Sequence, residues 1–243
     1  MIRALYTAAS GMMVEARRLD LVSKNLFHVQ TPGFKATREL RASRGPTTPE
    51  LPSDVQVRLE GEFVDASPGQ FRPTGRDLDL AIEGNGFFTV ETPGGTAYTR
   101  DGRFRKGPDG VVRDGNGNAL LGQGGPIRFP ADAGPDAQVE VDGNGALRVG
   151  GIEVDLIALA DFPGYRGLRQ AGGSYFFAAG GANSQPSKGR VLQRTLEDAN
   201  VSGVAEMSRT IETLRAFESY QKMIQSVMDE TTGEAVRRIG RVA

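Results

Sequence analysis

Two apolar seams stand at opposite ends of this chain, and the long stretch between them follows a different pattern. Leu5, Met12, Leu19 and Leu26 recur every seven residues; Ala8, Val22 and Val29 fill the half-step, with Glu15 as the one polar break. That spacing lines one side of a helix with apolar side chains, the form in which helices pack on one another. Thr31-Pro32-Gly33 supplies the stop, because proline cannot continue a helix and glycine accepts the angles of a sharp exit. In the tail, Val204, Met207, Ile211 and Leu214 step by three and four, and after a small slip in phase the series resumes at Phe217, Tyr220, Ile224 and Val227. This predicts a second helix with one apolar face. Ser202 is its expected N-cap, with Glu206 near the positive end of the helix dipole.

The middle is read as β structure. From Asp54 the period becomes two: Val55, Val57 and Leu59 alternate with Gln56, Arg58 and Glu60, and Asp77 to Glu83 alternates in the same way. Gly84-Asn85-Gly86 then reads as a turn with Phe87 to Val90 as the return strand. Asp101-Gly102, Asp109-Gly110, Asp114-Gly115-Asn116-Gly117 and Asp142-Gly143-Asn144-Gly145 continue the series, and such pairs favour two-residue hairpins. No helical period interrupts it. The expected fold is therefore α+β: residues 1–35 and 196–243 as paired halves of a helical terminal domain, 36–53 as a linker, and 54–195 as an all-β domain of short antiparallel strands.

Charge is balanced, with 29 Lys and Arg against 30 Asp and Glu, so no electrostatic footprint for nucleic acid is present. No window has the roughly 18 continuous apolar residues of a membrane span. Cysteine is absent, which excludes disulfides, thiolate metal sites and a cysteine nucleophile. The N-terminus lacks the solid apolar block of a cleaved secretory signal. His28 is the sole histidine and stands at the end of the first helix, a place for packing or for charge on the last carbonyls. Asp114 to Asn118 alternates oxygens as a calcium loop does. Ala119 occupies the position where such a loop needs glycine, and Gly125 the position where it needs glutamate, so a hairpin turn accounts for it better. Asp77 with Asp79, or Asp109 with Asp114, could be put forward as a glycosidase pair; exposed strand and turn carboxylates explain them with less. No catalytic residue, cofactor or metal ligand is expected.

An assembly interface is expected instead, formed by Leu5, Ala8, Met12, Leu19, Val22 and Leu26 of the first helix and Val204, Met207, Ile211, Leu214, Phe217 and Ile224 of the second. A two-helix pair covers one side of each helix, and apolar surface left over calls for another subunit. A head-to-tail contact of this kind generates a polymer.

Ala8-Ala9-Ser10-Gly11-Met12, Asn25-Leu26 with Val29, and Thr31-Pro32-Gly33-Phe34-Lys35 resemble the N-terminal signature of the bacterial flagellar rod and hook proteins. Asp79 to Phe88, with Gly84, Asn85 and Gly86, is similar to the family's central motif, and Tyr98 to Phe104 to the unit after it. Leu196-Glu197-Asp198-Ala199-Asn200-Val201, Glu206-Met207 and Arg215-Ala216-Phe217-Glu218 resemble its C-terminal motif. Phe27-His28 stand where the family usually has Ala-Asn, and Gln30 where it usually has Asn. The resemblance implies a structural, non-enzymatic subunit of the basal-body rod, crossing the periplasm. It implies export by the flagellar type III apparatus without signal cleavage, and neighbours that are other copies and other rod proteins. The short chain and its extended tail favour the proximal-rod member over the distal-rod or hook paralogues. A carbohydrate-binding β module, with Phe87, Phe88 and Tyr98 near the sugar, and a hydrolase using turn carboxylates are the rival readings.

Overall fold

Helix α1 spans Ile2–Phe27 and helix α2 spans Gly203–Ile239. The structure, a computed structural model, describes residues 2–40, 61–131, 133–134, 137–162, 165, 167–178 and 183–239, and of residues 2–4 and 231–239 the backbone alone. The expected strand at Val55 to Leu59 and most of the expected linker lie outside the described residues. The chain is α+β, with a helix toward each end and an antiparallel β region between them. It divides into two compact units: Met1–Phe27, Thr37–Phe63 and Ser202–Ala243 form one, and His28–Ala36 with Val64–Val201 form the other.

In the helical unit, α1 ends at Phe27, before the proline, so Val29 falls beyond the helix and takes no part in its seam. Ser202 caps α2, its Oγ accepting the Ala205 N–H at 3.4 Å. The helix continues well beyond Val227, where the apolar series ends. Ala8, Gly11, Leu21, Val22 and Asn25 are buried on α1, while Leu5, Met12, Leu19 and Leu26 are half-buried. A Cβ on Gly11 would fall 2.5 Å from Cε1 of Tyr220, so the tyrosine ring rests on α1 where the side chain is missing. Part of the stretch read as linker is a strand: Thr37–Glu39 pairs with Glu62–Val64.

The β unit is built on one large sheet, in the order Leu168–Gln170, Tyr175–Ala178, Gly95–Thr99, Phe87–Thr92, Ala119–Gly122, Val112–Arg113 and Arg105–Lys106. Both faces of its central strand are covered. Phe88 and Val90 join Leu80, Ile82, Phe104, Leu120 and Leu147 in the main core, and Phe87 points the other way into a second cluster with Phe162, Leu168 and Phe176. Period-two geometry sends neighbouring phenylalanines to opposite faces, and a strand buried on both faces reads as a continuous apolar run.

The expected hairpin at Gly84-Asn85-Gly86 does not form. Leu80–Glu83 pairs with Arg190–Gln193, in register Ile82 with Val191, while Phe87–Thr92 belongs to the large sheet. The turn hands the chain from one sheet to the next, because both segments have apolar residues to bury and each finds a different cover. The Asp-Gly-Asn-Gly turns do close hairpins, but longer ones than expected. Asp114 N–H donates to Asn118 O (2.9 Å) and Asp142 N–H to Ala146 O (3.1 Å), leaving three residues in each loop. The aspartate Oδ1 accepts two loop amides in both cases, Asn116 and Asn118 in one, Asn144 and Ala146 in the other. Gly117 and Gly145 take φ of +88° and +90°, the left-handed angles this closure requires. Thr195–Glu197 is a strand on Phe71–Pro73, so the stretch expected from residue 196 as part of the helical half begins as β structure.

Candidate functional site

The motif segments of the β unit converge on one buried carboxylate, Glu197. Lys35 Nζ donates to its Oε1 at 2.6 Å, the Gly69 N–H reaches the same oxygen at 2.9 Å, and Arg100 Nη1 donates to Oε2 at 3.2 Å. All three charged side chains are almost fully withdrawn from water. Further donors bond backbone, Lys35 to Ser67 O at 2.8 Å and Arg100 to Ile82 O at 2.9 Å and Gly84 O at 2.5 Å, while the buried Arg100 Nε has no partner. The Glu197 carbonyl accepts the Gly33 N–H at 2.7 Å. Burial pushes the Lys35 ammonium below its usual range, and the Glu197 carboxylate offsets part of that push.

Asn200 continues the seam. Its Oδ1 accepts the Ala36 N–H at 2.7 Å and its Nδ2 donates to Asp65 O at 2.8 Å, so one amide side chain bridges two backbone segments. Phe34 is buried and stacks on His28, ring centroids 4.6 Å apart and planes at 17°. The histidine is thus a packing residue, and it also bonds Thr31 Oγ1 at 3.1 Å. Pro32 is buried, and Asn85 O accepts the Ser187 hydroxyl. Lys35, Arg100 and Glu197 each fall inside a motif quoted from the sequence, but nothing in their local patterns says that they meet.

In the helical unit, Asn25 is buried and bonds Thr37 twice, Nδ2 to Thr37 O and Oδ1 from Thr37 N, each at 3.0 Å. It imitates a step of β ladder at the side of a helix. Glu206 is buried too: its Oε1 takes Arg38 at 2.9 Å and Arg209 as well, while Oε2 has no partner. Its role is therefore larger than the expected contribution at the helix N-terminus.

The tail seam, expected as one apolar face, divides in two. Val204, Met207, Ile211 and Leu214 are 79%, 57%, 53% and 40% exposed. Beside the small Gly203, Ala205 and Ala216, the buried or half-buried residues of α2 with described side chains are Glu206, Thr210, Thr213, Phe217, Tyr220, Ile224 and Val227, which step by four and three without a break. The apparent slip in phase is thus two stripes, one residue apart and about 100° apart around the helix. The first half of the covered stripe is polar, so hydrophobicity alone picked the uncovered one. On α1, Tyr6, Met13 and Phe27 are likewise exposed, at sevenfold spacing.

The expected turn carboxylates are structural. Asp77 pairs with Arg194 and Asp109 with Arg113, both at 2.8 Å. Asp79 and Asp114, expected at the surface, are buried. Asp114 Oδ2 accepts the Tyr175 hydroxyl at 2.6 Å and Asn118 Nδ2 at 3.0 Å, so its oxygens are engaged by its own surroundings. Burial first, then the Asp114 bond and charge, raise the Tyr175 pKa well above its ordinary value of 10.0. Above about pH 10 the unfolded chain loses this proton while the folded chain keeps it, so stability should fall as pH rises. Tyr175→Phe is expected to make that fall shallower; urea unfolding at pH 9 and pH 11 checks it, and equal slopes would refute it. Phe87 and Phe88 are buried and Tyr98 packs edge-on against Phe162, so these rings offer no open platform for a sugar. Among the described residues no group of three or more His, Asp or Glu is placed to hold a metal ion, and no helix is long and apolar enough to cross a membrane.

The chain carries a helical unit with uncovered apolar stripes and an antiparallel β unit joined internally by a buried ionic cluster, the make-up of a structural building block. Comparison with known proteins gives its family. Residues 81–149 match the flagellar hook protein FlgE/F/G D1 domain, and residues 192–235 match the flagellar basal body rod FlgEFG protein C-terminal model. The flagellar basal-body rod protein FlgF of Caulobacter vibrioides is 33% identical over the full length of both chains. FlgF of Rhizobium meliloti is 32% identical over 97% of each, and FlgG of Bacillus subtilis 32% over 97% of this chain and 98% of its own. The chain belongs to the flagellar basal-body rod protein family.

Proposed function

We propose that this protein is a structural subunit of the flagellar basal-body rod that polymerises through its terminal helices and transmits torque by shape. The carrying observation is the uncovered stripe Val204, Met207, Ile211 and Leu214 on α2. Four apolar side chains at heptad spacing, left in water by a folded chain, call for a second helix. Met12, Leu19, Leu26, Leu5, Ala8 and Val22 support the helix pairing within the subunit, with Phe217 and Ile224 opposite. Neighbours are other copies and other rod proteins, and a contact between unlike surfaces repeats into a helical stack. In this reading the subunit reaches the rod through the flagellar type III export apparatus without a cleaved signal, and its place is the proximal rod, as in the FlgF proteins.

Ile211→Asp puts a charge in the middle of the stripe without touching the covered face. It should leave helix content and β-unit stability within about 0.5 kcal/mol of the parent, as surface changes do. It should abolish rod assembly, read as loss of swimming and of rods in purified basal bodies. Normal swimming with complete rods would refute the proposal.

A further inference from the structure

All six methionines of the sequence, Met1, Met12, Met13, Met207, Met223 and Met228, stand toward its two ends, and none lies between residues 28 and 201. Cysteine is absent, so methionine is the only oxidisable sulfur in the protein. The distribution is uneven in exposure as well. Met13 is 73% exposed on the outward stripe of α1, and Met207 sits between Val204 and Ile211 on that of α2. Met228, three heptads beyond Met207, is also exposed, whereas Met12 is half-buried. Met223 is exposed as well, at 49%, but off this stripe, so among the described residues three of the four exposed thioethers lie on the outward stripes.

We propose that Met13 and Met207 are modification sites: oxidation of their sulfurs by a peroxide blocks the helical face from assembling, and assembly in turn shields them. The inference rests on the rod-subunit reading above. In the reaction, a sulfur lone pair attacks one peroxide oxygen and the O–O bond breaks. Methionine is oxidised by two electrons to the sulfoxide, and hydrogen peroxide is reduced to water. The product is a polar, chiral group where a flexible apolar one stood. Pressed against the apolar stripe of a neighbouring subunit, the sulfoxide oxygen would lose its water without gaining a donor. That loss corresponds to roughly tenfold weaker association for each buried sulfoxide. The β unit, with no sulfur of either kind, keeps its fold through the same exposure to oxidant.

The test uses the purified full chain, brief treatment with hydrogen peroxide, peptide mass spectrometry to place the oxygen, and sedimentation velocity over a concentration series to read self-association. Met13 and Met207 should oxidise before Met12, and association should weaken at least tenfold. Enzymatic reduction of the sulfoxides should restore it, and the Met13→Leu, Met207→Leu, Met228→Leu triple variant should keep its association after peroxide. If Ile211→Asp abolishes association but full oxidation at Met13 and Met207 leaves it unchanged, the inference is wrong and the rod-subunit reading stands. If the leucine variant weakens on peroxide treatment as much as the parent does, the effect lies elsewhere and the inference is again wrong. If neither Ile211→Asp nor peroxide alters association, the assembly reading fails and the oxidation site fails with it.

Discussion

Glu197→Ala should destabilise the β unit by about 3–5 kcal/mol, the usual consequence of removing one member of a buried ionic group. The substitution leaves an ammonium and a guanidinium with no countercharge in a site nearly closed to water. Lys35 would keep only its bond to Ser67 O, and Arg100 its bonds to Ile82 O and Gly84 O. The Gly69 N–H would lose its acceptor as well. Glu197→Gln should fall between the two, since one amide oxygen still accepts a hydrogen bond but carries no charge. Urea unfolding followed by tyrosine fluorescence in a Tyr6→Phe, Tyr220→Phe background reads this unit, because the remaining Tyr98, Tyr165 and Tyr175 all lie in it. A loss under about 1 kcal/mol for the alanine variant would mean that the cluster is not what joins these segments.

Gly33→Ala is the second large effect, about 2–5 kcal/mol. Gly33 holds φ at +66°, where an L residue with a Cβ costs roughly 1–2 kcal/mol. The added carbon would also overlap the backbone of Arg100 and Asp101, so either the turn or the Arg100 strand end must move, at roughly 1–3 kcal/mol for a crowded core. Because Gly33 also donates its N–H to Glu197 O, the displacement reaches the ionic cluster. The two variants should therefore lose less together than the sum of their separate losses. Full additivity in a double-mutant cycle would show that Gly33 and Glu197 act independently.

Much of the architecture was legible in local pattern. The seven-residue recurrence from Leu5 to Leu26 marked α1, the hydroxyl of Ser202 marked the start of α2, and the aspartate-led turns at Asp114 and Asp142 marked hairpins. Each of these is settled within one or two turns of chain. The hairpin expected at Gly84 to Gly86 failed because a turn signal says only that the chain bends. Whether Leu80–Glu83 pairs with the strand after the bend or with Arg190–Gln193 is a contest between distant partners. Asp79 and Asp114 were expected at the surface because carboxylates usually are, and Asp114 is drawn inward by the loop amides and the Tyr175 hydroxyl it satisfies.

The candidate site divides in the same way. Motif residues such as Asn25, Gly33 and Asn200 could be marked on the sequence, but Lys35, Arg100 and Glu197 could not be joined there. An ion pair across 162 residues leaves no trace in periodicity, composition or spacing. On α2, sequence alone established that apolar residues recur at helical intervals. Only the tertiary structure decided which of two stripes, one residue apart, the chain covers itself. It covers the one that begins with Glu206, Thr210 and Thr213, since Arg38 and Arg209 neutralise the carboxylate and small threonines can be buried there. The more hydrophobic stripe is left in water. Hydrophobicity fixes how much a side chain gains on leaving water, but not whether its own chain or a neighbour provides the cover.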